Sequence, residues 1–229
     1  IFTVNGAFPK VDFTVVNASS LCSNNEISIQ NLSSVNFGNI TKAEIVWDFT
    51  NFPTNLVTDT FPDLGKTYRH QYPVFYGTTP KKYQIKMRAY SGQSCMDEIK
   101  KEVILYPAPF IIFNSPPRVC ENIAPYLISG AYDSIKNNGR GYFKGSGIDS
   151  SGVFSPGKAG VGDHSLTYVF TTSNGCSDSA KRTISVLPLP EVHTGKQVVI
   201  LEGGSALLPA TAAGNGLVYA WSPSQFLND

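Results

Sequence analysis

Strict two-residue alternation constrains this chain more than any other feature. Tyr83-Gln84-Ile85-Lys86-Met87-Arg88-Ala89 places apolar and polar side chains in turn, and Glu26-Ile27-Ser28-Ile29-Gln30 and Ser165-Leu166-Thr167-Tyr168-Val169-Phe170 do the same. A period of 2 sends successive side chains to opposite faces, so each stretch reads as a strand with one dry and one wet side. Turn signals separate the strands at Asn137-Asn138-Gly139, Ser155-Pro156-Gly157 and Ser173-Asn174-Gly175. No longer stretch carries a helical stripe, and Gly 20 with Pro 15 weighs the same way. The expected fold class is all-β.

A second pattern divides the chain. Three times an apolar strand runs into a Pro- or Gly-marked junction and a new strand follows. Phe2-Thr3-Val4 leads through Gly6 and Pro9 to Val11-Asp12-Phe13. Val103-Ile104-Leu105 leads through Pro107 and Pro109 to Ile111-Ile112-Phe113, and Ile184-Ser185-Val186 through Pro188 and Pro190 to Val192. Proline lacks an N–H and fixes φ, so it ends one ladder and stiffens the step to the next. Pro9, Pro109 and Pro190 stand about 100 and about 80 residues apart, intervals that suit immunoglobulin-like sandwiches of about 100 residues. The expected organisation is residues 1–8 as the end of a preceding domain or linker, 9–108 and 109–188 as two sandwiches, and 189–229 as part of a third. Leu217-Val218-Tyr219-Ala220-Trp221 reads as a strand close to Asp229, so the chain is expected to be a segment cut at both ends.

Four cysteines fall two to a bead. Cys22 and Cys120 precede the second strand of their beads, and Cys95 and Cys176 precede the last. The repeated placement predicts disulfides Cys22–Cys95 and Cys120–Cys176. The close C-x-x-C spacings of zinc sites are absent, and disulfides imply an oxidising compartment.

Lys+Arg 18 against Asp+Glu 17 leaves a net charge of +1, with no pull toward nucleic acid or an anionic membrane. No apolar run approaches the roughly 18 residues of a membrane helix. His70, His164 and His193 fall one to a bead, with no spacing that would bind a metal. Asp163-His164-Ser165 holds the residue types of a nucleophilic triad, but adjacent strand residues face opposite ways and form no relay. The Gly-rich Gly139-Arg140-Gly141 and Gly145-Ser146-Gly147 read as turns and bulges. No catalytic residue, metal or cofactor is expected. Trp47 and Trp221 read as core tryptophans of their sandwiches, and Asp48 as a turn cap. Tyr68, Tyr72, Phe75 and Tyr76, with Tyr83, Arg69, Lys81 and Lys82 nearby, form an aromatic concentration that suits a protein or glycan contact face.

The residues Trp47-Asp48-Phe49, His70-Gln71-Tyr72 and Tyr83-Gln84-Ile85-Lys86-Met87 resemble the polycystic-kidney-disease (PKD) domain pattern over roughly residues 10–106. Thr50-Asn51-Phe52 stands where that family has Gly-Asp-Gly, which implies a longer loop and withdraws the calcium that some members bind. Gly145-Ser146-Gly147-Ile148, Phe154-Ser155-Pro156, Ala159-Gly160-Val161-Gly162-Asp163-His164 and Asn174-Gly175-Cys176-Ser177 resemble the PKD-like or Ig-like repeats of very large Bacteroidota surface proteins. The stretch from Leu201 to Pro223 looks like the start of another. The resemblance implies export by the type IX secretion system and a part in adhesion or gliding. Asp133-Ser134-Ile135 and Asp178-Ser179-Ala180 look like O-glycosylation acceptors of that phylum. Asn17-Ala18-Ser19, Asn31-Leu32-Ser33 and Asn39-Ile40-Thr41 match the N-glycosylation pattern.

Together these features lead to a non-catalytic segment of a large secreted or cell-surface protein, acting as adhesin body, stalk or spacer. The alternatives are a protein-binding accessory or cargo of the secretion and gliding apparatus, and a glycan-binding module of an extracellular hydrolase. Expected partners are other outer-membrane or cell-surface proteins, or a surface glycan.

Overall fold

The computed structural model describes residues 7–16, 21–92, 95–214, 216–222, 225 and 227. The strand read at Phe2-Thr3-Val4 lies outside the described residues, as does Asn17-Ala18-Ser19. Among the described residues the fold is all-β but for one helical turn, and the chain divides into two compact units.

The first unit gathers Ile1–Phe113, Gly130–Tyr142 and Tyr168–Ala180. Its opening strands are β1 (Phe13–Val15), β2 (Ile27–Asn31), β3 (Lys42–Val46), β4 (Leu56–Asp59), β5 (Thr67–His70), β6 (Lys81–Ser91) and β7 (Cys95–Leu105). They form two antiparallel sheets, in the orders β1-β2-β5 and β4-β3-β6-β7. Phe13, Ile27 and Ile29 from one sheet meet Ala43, Ile45, Ile85, Met87, Ala89, Val103 and Leu105 from the other in one buried cluster. Two sheets closing on a shared core is the immunoglobulin-like sandwich the alternation predicts. Polar residues break the pattern at Asn31 and Ser91, which are buried on the core side, and at Lys86, which is only 5% exposed.

The second unit gathers Asn114–Ser129, Phe143–Thr167 and Lys181–Asp229. The later elements of the chain are β8 (Ile111–Phe113), β9 (Val119–Cys120), β10 (Tyr126–Leu127), β11 (Ala131–Asp133), β12 (Gly139–Lys144), β13 (Val153–Phe154), α1 (Pro156–Ala159), β14 (Gly162–Thr172), β15 (Ser177–Leu187), β16 (Glu191–Thr194) and β17 (Ala210–Ala213). Strands β12-β14-β15-β9 make a four-stranded sheet, and β8–β11, β10–β13 and β16–β17 pair separately. The division into units passes through β12, β14 and β15. Ile128, Phe154, Leu166, Ile184 and Val186 are buried within the second unit. The turn read at Ser155-Pro156-Gly157 is one helical turn, because Pro156 is preset for the first helical position and Gly160 N–H closes on the Pro156 carbonyl at 2.9 Å.

The structure corrects three expectations. The disulfide joins Cys22 to Cys176, with Cα atoms 5.5 Å apart, and Cys95 and Cys120 are free. The reason is strand length. Cys95 opens the 11-residue β7, and Cys22 bridges Tyr106, just past the far end of that strand. At about 3.3 Å per residue the two lie some 35 Å apart, far beyond the roughly 7 Å Cα limit of a bridge. Cys176 and Cys120 likewise stand at opposite ends of β15, since Cys120 pairs with Leu187. Second, Trp221 is not core: it is 48% exposed and lines an open apolar hollow with Val198, Ile200, Leu207 and Leu208. Third, Leu217–Trp221 forms no strand. Beyond Pro190 the strands among the described residues are β16 and β17, which pair antiparallel.

Candidate functional site

A candidate site lies at one end of the first unit's sandwich. Trp47 follows β3, His70 ends β5, and Tyr83 stands on β6. The loop of residues 47–55 brings Asp48, Phe52 and Asn55 to the rim. With Gln71, Tyr72, Pro73 and Val57, these residues line a cleft of about 430 Å³.

Its walls are aromatic. The Trp47 and His70 rings stack at 4.9 Å with planes 10° apart, Tyr72 meets His70 edge-on at 4.5 Å, and Tyr83 lies tilted against Tyr72 at 4.1 Å. Tyr72 donates its hydroxyl to the Trp47 carbonyl at 2.6 Å, which ties the β5 exit to the β3 exit. Burial holds the His70 pKa below the ordinary imidazole value, although the nearby Asp48 charge pulls the other way. Burial raises the Tyr72 and Tyr83 phenols, and the Asp48 charge adds to both. At neutral pH the cleft therefore presents an uncharged imidazole and neutral phenols beside one carboxylate. The partly exposed His70 and Tyr83 rings are what the cleft can offer to a flat or sugar-like face, with Trp47 and Tyr72 backing them from the core. Asp48 accepts from Asn51 N–H at 3.2 Å and from Asn51 Nδ2, the turn-capping role expected of it.

The four aromatics proposed as a contact face do not share one. Tyr72 is 2% exposed, so it cannot be part of an outer face. Its hydroxyl partner and the rings around it draw it into the core. Tyr68 donates to Asp59 at 2.7 Å, and burial and that carboxylate raise its phenol pKa. Phe75 packs against the core with the Lys81 ammonium over its ring, while Tyr76 is exposed and meets Phe110 at 5.0 Å. Trp47 is 6% exposed and belongs to the core cluster, while its ring still forms one wall of the cleft. His70 packs against Tyr72 and stacks on Trp47. The stacking of His70 on Trp47 is not read from the sequence, although Trp47-Asp48-Phe49 and His70-Gln71-Tyr72 are its signal, whereas Tyr83 stands in the aromatic concentration read there.

The remaining candidates stand apart from this cleft. Asp163 accepts from Ser185 at 2.5 Å, and His164 bonds the Gly160 carbonyl at 2.7 Å. The Ser134 hydroxyl donates to the Phe110 carbonyl, and the buried Asp133 carboxylate accepts from Phe110, Ile135 and Asn137. Ser179 lies exposed on β15. Asn31 is fully buried and closed to glycosylation. Among the described residues no group of three His, Cys, Asp or Glu could hold a metal ion, and no helix is long and apolar enough to cross a membrane.

No family model matches the chain, and no curated protein matches it significantly. Solved structures with some likeness are extracellular repeats. Drosophila N-cadherin EC1-4 is 14% identical, with a TM-score of 0.27 over 77% of this chain and 51% of that one. Protocadherin Gamma B2 extracellular cadherin domains 3-6 are 12% identical, with a TM-score of 0.29 over 91% and 62%. Drosophila OTK extracellular domains 3-5 are 12% identical, with a TM-score of 0.26 over 85% and 72%. The chain spans roughly half to two thirds of the first of these structures, and likenesses this weak carry no argument about function.

Proposed function

We propose that this chain is a non-catalytic array segment of a secreted or cell-surface bacterial protein, acting as adhesin body, stalk or spacer. In this reading, residues 9–108 and 109–188 are successive sandwiches, residues 1–8 lead in, and 189–229 begin a third. Its route out of the cell is the periplasm and outer membrane, consistent with the type IX and gliding class that the repeat motifs resemble. Its partners are other surface proteins.

One observation carries the reading. The Cys22–Cys176 bridge spans 154 residues and ties the entrance of the first bead to the last hairpin of the second. A covalent tie over that length serves a chain that must resist being drawn out, and such bonds form and persist in oxidising compartments. Pulling on the two termini of single molecules tests it. With the bridge closed, the residues between the cysteines add no length on unfolding. Reduction should release roughly 500 Å more, at about 3.5 Å per residue. Equal extension with and without reductant would remove the mechanical reading.

The aromatic cleft of Trp47, His70, Tyr72 and Tyr83 favours a second reading, a glycan-binding module. Titration with soluble polysaccharides, followed by Trp47 fluorescence, separates the two: a saturable change supports the module, and none supports the spacer.

A further inference from the structure

The two long hairpins carry one cysteine arrangement twice. In the first, Cys22 bridges Tyr106 in parallel, Ser23 N–H donates to the Tyr106 carbonyl at 2.8 Å, and Asn25 N–H returns to the Cys22 carbonyl at 3.0 Å. In the second, Cys120 pairs in parallel with Leu187, Glu121 N–H donates to the Leu187 carbonyl at 3.0 Å, and Ile123 N–H returns to the Cys120 carbonyl at 3.2 Å. Tyr106 and Leu187 each precede a Pro-x-Pro junction. These two are foot cysteines. The other two sit at hairpin tips. Cys95 pairs with Ser91 across the β6–β7 turn, and Cys176 accepts from Thr172 N–H at 2.8 Å across the β14–β15 turn.

The bridge that forms joins the foot cysteine of the first arrangement to the tip cysteine of the second. Its two cysteines are 2% and 0% exposed, whereas tip Cys95 and foot Cys120 are partly exposed and free. Asn24 fastens the closed junction by donating Nδ2 to the Ser177 carbonyl, next to Cys176, at 2.9 Å. Asn122 and Met96 hold the matching places beside Cys120 and Cys95.

We infer that Cys95 and Cys120 are the open halves of the same foot-to-tip junction, each made to take the complementary cysteine of another repeat of this kind. Cys120 takes a tip cysteine, and Cys95 takes a foot cysteine. A second copy of this chain supplies both, so copies link head to tail. The inference rests on the array reading, and it adds a disulfide at every step along the array. The bond forms by two exchanges with a small-molecule disulfide such as oxidised glutathione. One protein thiolate attacks it and expels a glutathione thiolate, and the second protein thiolate attacks the mixed disulfide and expels the other. Two protein thiols are oxidised, one glutathione disulfide is reduced to two thiols, and the protons balance on the leaving thiolates.

The test uses the full chain in a glutathione redox buffer, with disulfide-linked peptides mapped by mass spectrometry. The Cys22–Cys176 peptide reports folding in every sample. The expected product is a ladder of multimers in which Cys95–Cys120 links exceed the Cys95–Cys95 and Cys120–Cys120 links together by about tenfold, because docking raises the effective concentration of the matched pair. Cys95→Ser and Cys120→Ser each stay monomeric alone, and a one-to-one mixture of the two gives a single heterodimer. Asn122→Ala lowers the excess. Mixed links no commoner than the symmetric ones together, no links at all, or Cys22–Cys95 and Cys120–Cys176 bridges would each overturn the inference. The array reading is judged separately, by the extension on pulling: random linking with an intact Cys22–Cys176 bridge leaves it standing.

Discussion

Asn31 shows how much one buried polar side chain can hold. Its Nδ2 donates to the Pro62 carbonyl at 2.9 Å and the Asp63 carbonyl at 3.1 Å, and its Oδ1 accepts from Ser33 N–H at 2.9 Å. These bonds pin the loop before β5 to the end of β2. Asn31→Ala removes the side-chain partners and leaves two carbonyls and an N–H to find others, so a loss of roughly 1–3 kcal/mol is expected in denaturant unfolding. His70 makes the companion prediction. Its folded pKa lies below the ordinary imidazole value of about 6.5, so below that pH the unfolded chain binds the proton more readily. The stability tied to His70 is present above about pH 6.5 and is lost as pH falls through the folded value. An NMR titration of the imidazole should show a midpoint below 6.5, and His70→Phe should flatten the stability curve between neutral pH and that midpoint.

The outer face of the β4-β3-β6-β7 sheet carries a charge lattice. Glu98 accepts from Lys86 at 2.6 Å and from Arg88 Nε at 2.9 Å. Glu44 pairs with Lys42 at 2.8 Å and accepts the Tyr90 hydroxyl at 2.8 Å. Hydrogen bonds from Lys86 and then Arg88 lower the Glu98 pKa. At Glu44 burial alone would raise it, but the Lys42 and Tyr90 bonds with the Lys42 and Arg88 charges prevail and lower it. Depressed carboxylates stabilise fully above their unfolded value of about 4.3 and lose that contribution as pH falls through the folded one. The part of the melting temperature that these carboxylates support should therefore hold down to about pH 5 and then decline, in addition to the loss tied to His70, and Glu98→Gln should soften that decline while lowering the melting temperature at neutral pH, since it leaves Lys86 with a poorer partner. This face also marks where the sequence stops being legible. Alternation found β2, β6 and β14, because burial of every second residue is a local property. It missed the burial of Asn31 and Lys86, whose partners Pro62 and Glu98 are remote in the chain and met only through sheet pairing. Trp47 and Tyr72 stand out in the sequence, but the cleft between them does not, because it depends on the loop of residues 47–55, which brings Asp48, Phe52 and Asn55 to its rim.

The cysteine pairing follows the same logic over the longest distance. Equivalent positions in the two beads suggested a bridge within each, but two hairpins with 11-residue strands set their tips and feet at opposite ends. The foot of one hairpin therefore cannot reach its own tip, and the bridge that forms joins the foot of one arrangement to the tip of the other. The stability consequence is direct. A bridge enclosing 154 residues removes unfolded-state entropy worth roughly 5 kcal/mol in the chain-entropy account, and measured disulfides deliver about 2–5. Reduction of the purified chain should lower its melting temperature, and Cys22→Ser with Cys176→Ser should lower it by the same amount in one step while abolishing any further response to reductant. Cys95→Ser with Cys120→Ser should leave both the melting temperature and the response to reductant as they are. The comparison separates the pairings sharply: bridges within each bead would make all four cysteines equal contributors, so a loss of stability in the Cys95→Ser, Cys120→Ser chain would show that the tie does not run from Cys22 to Cys176.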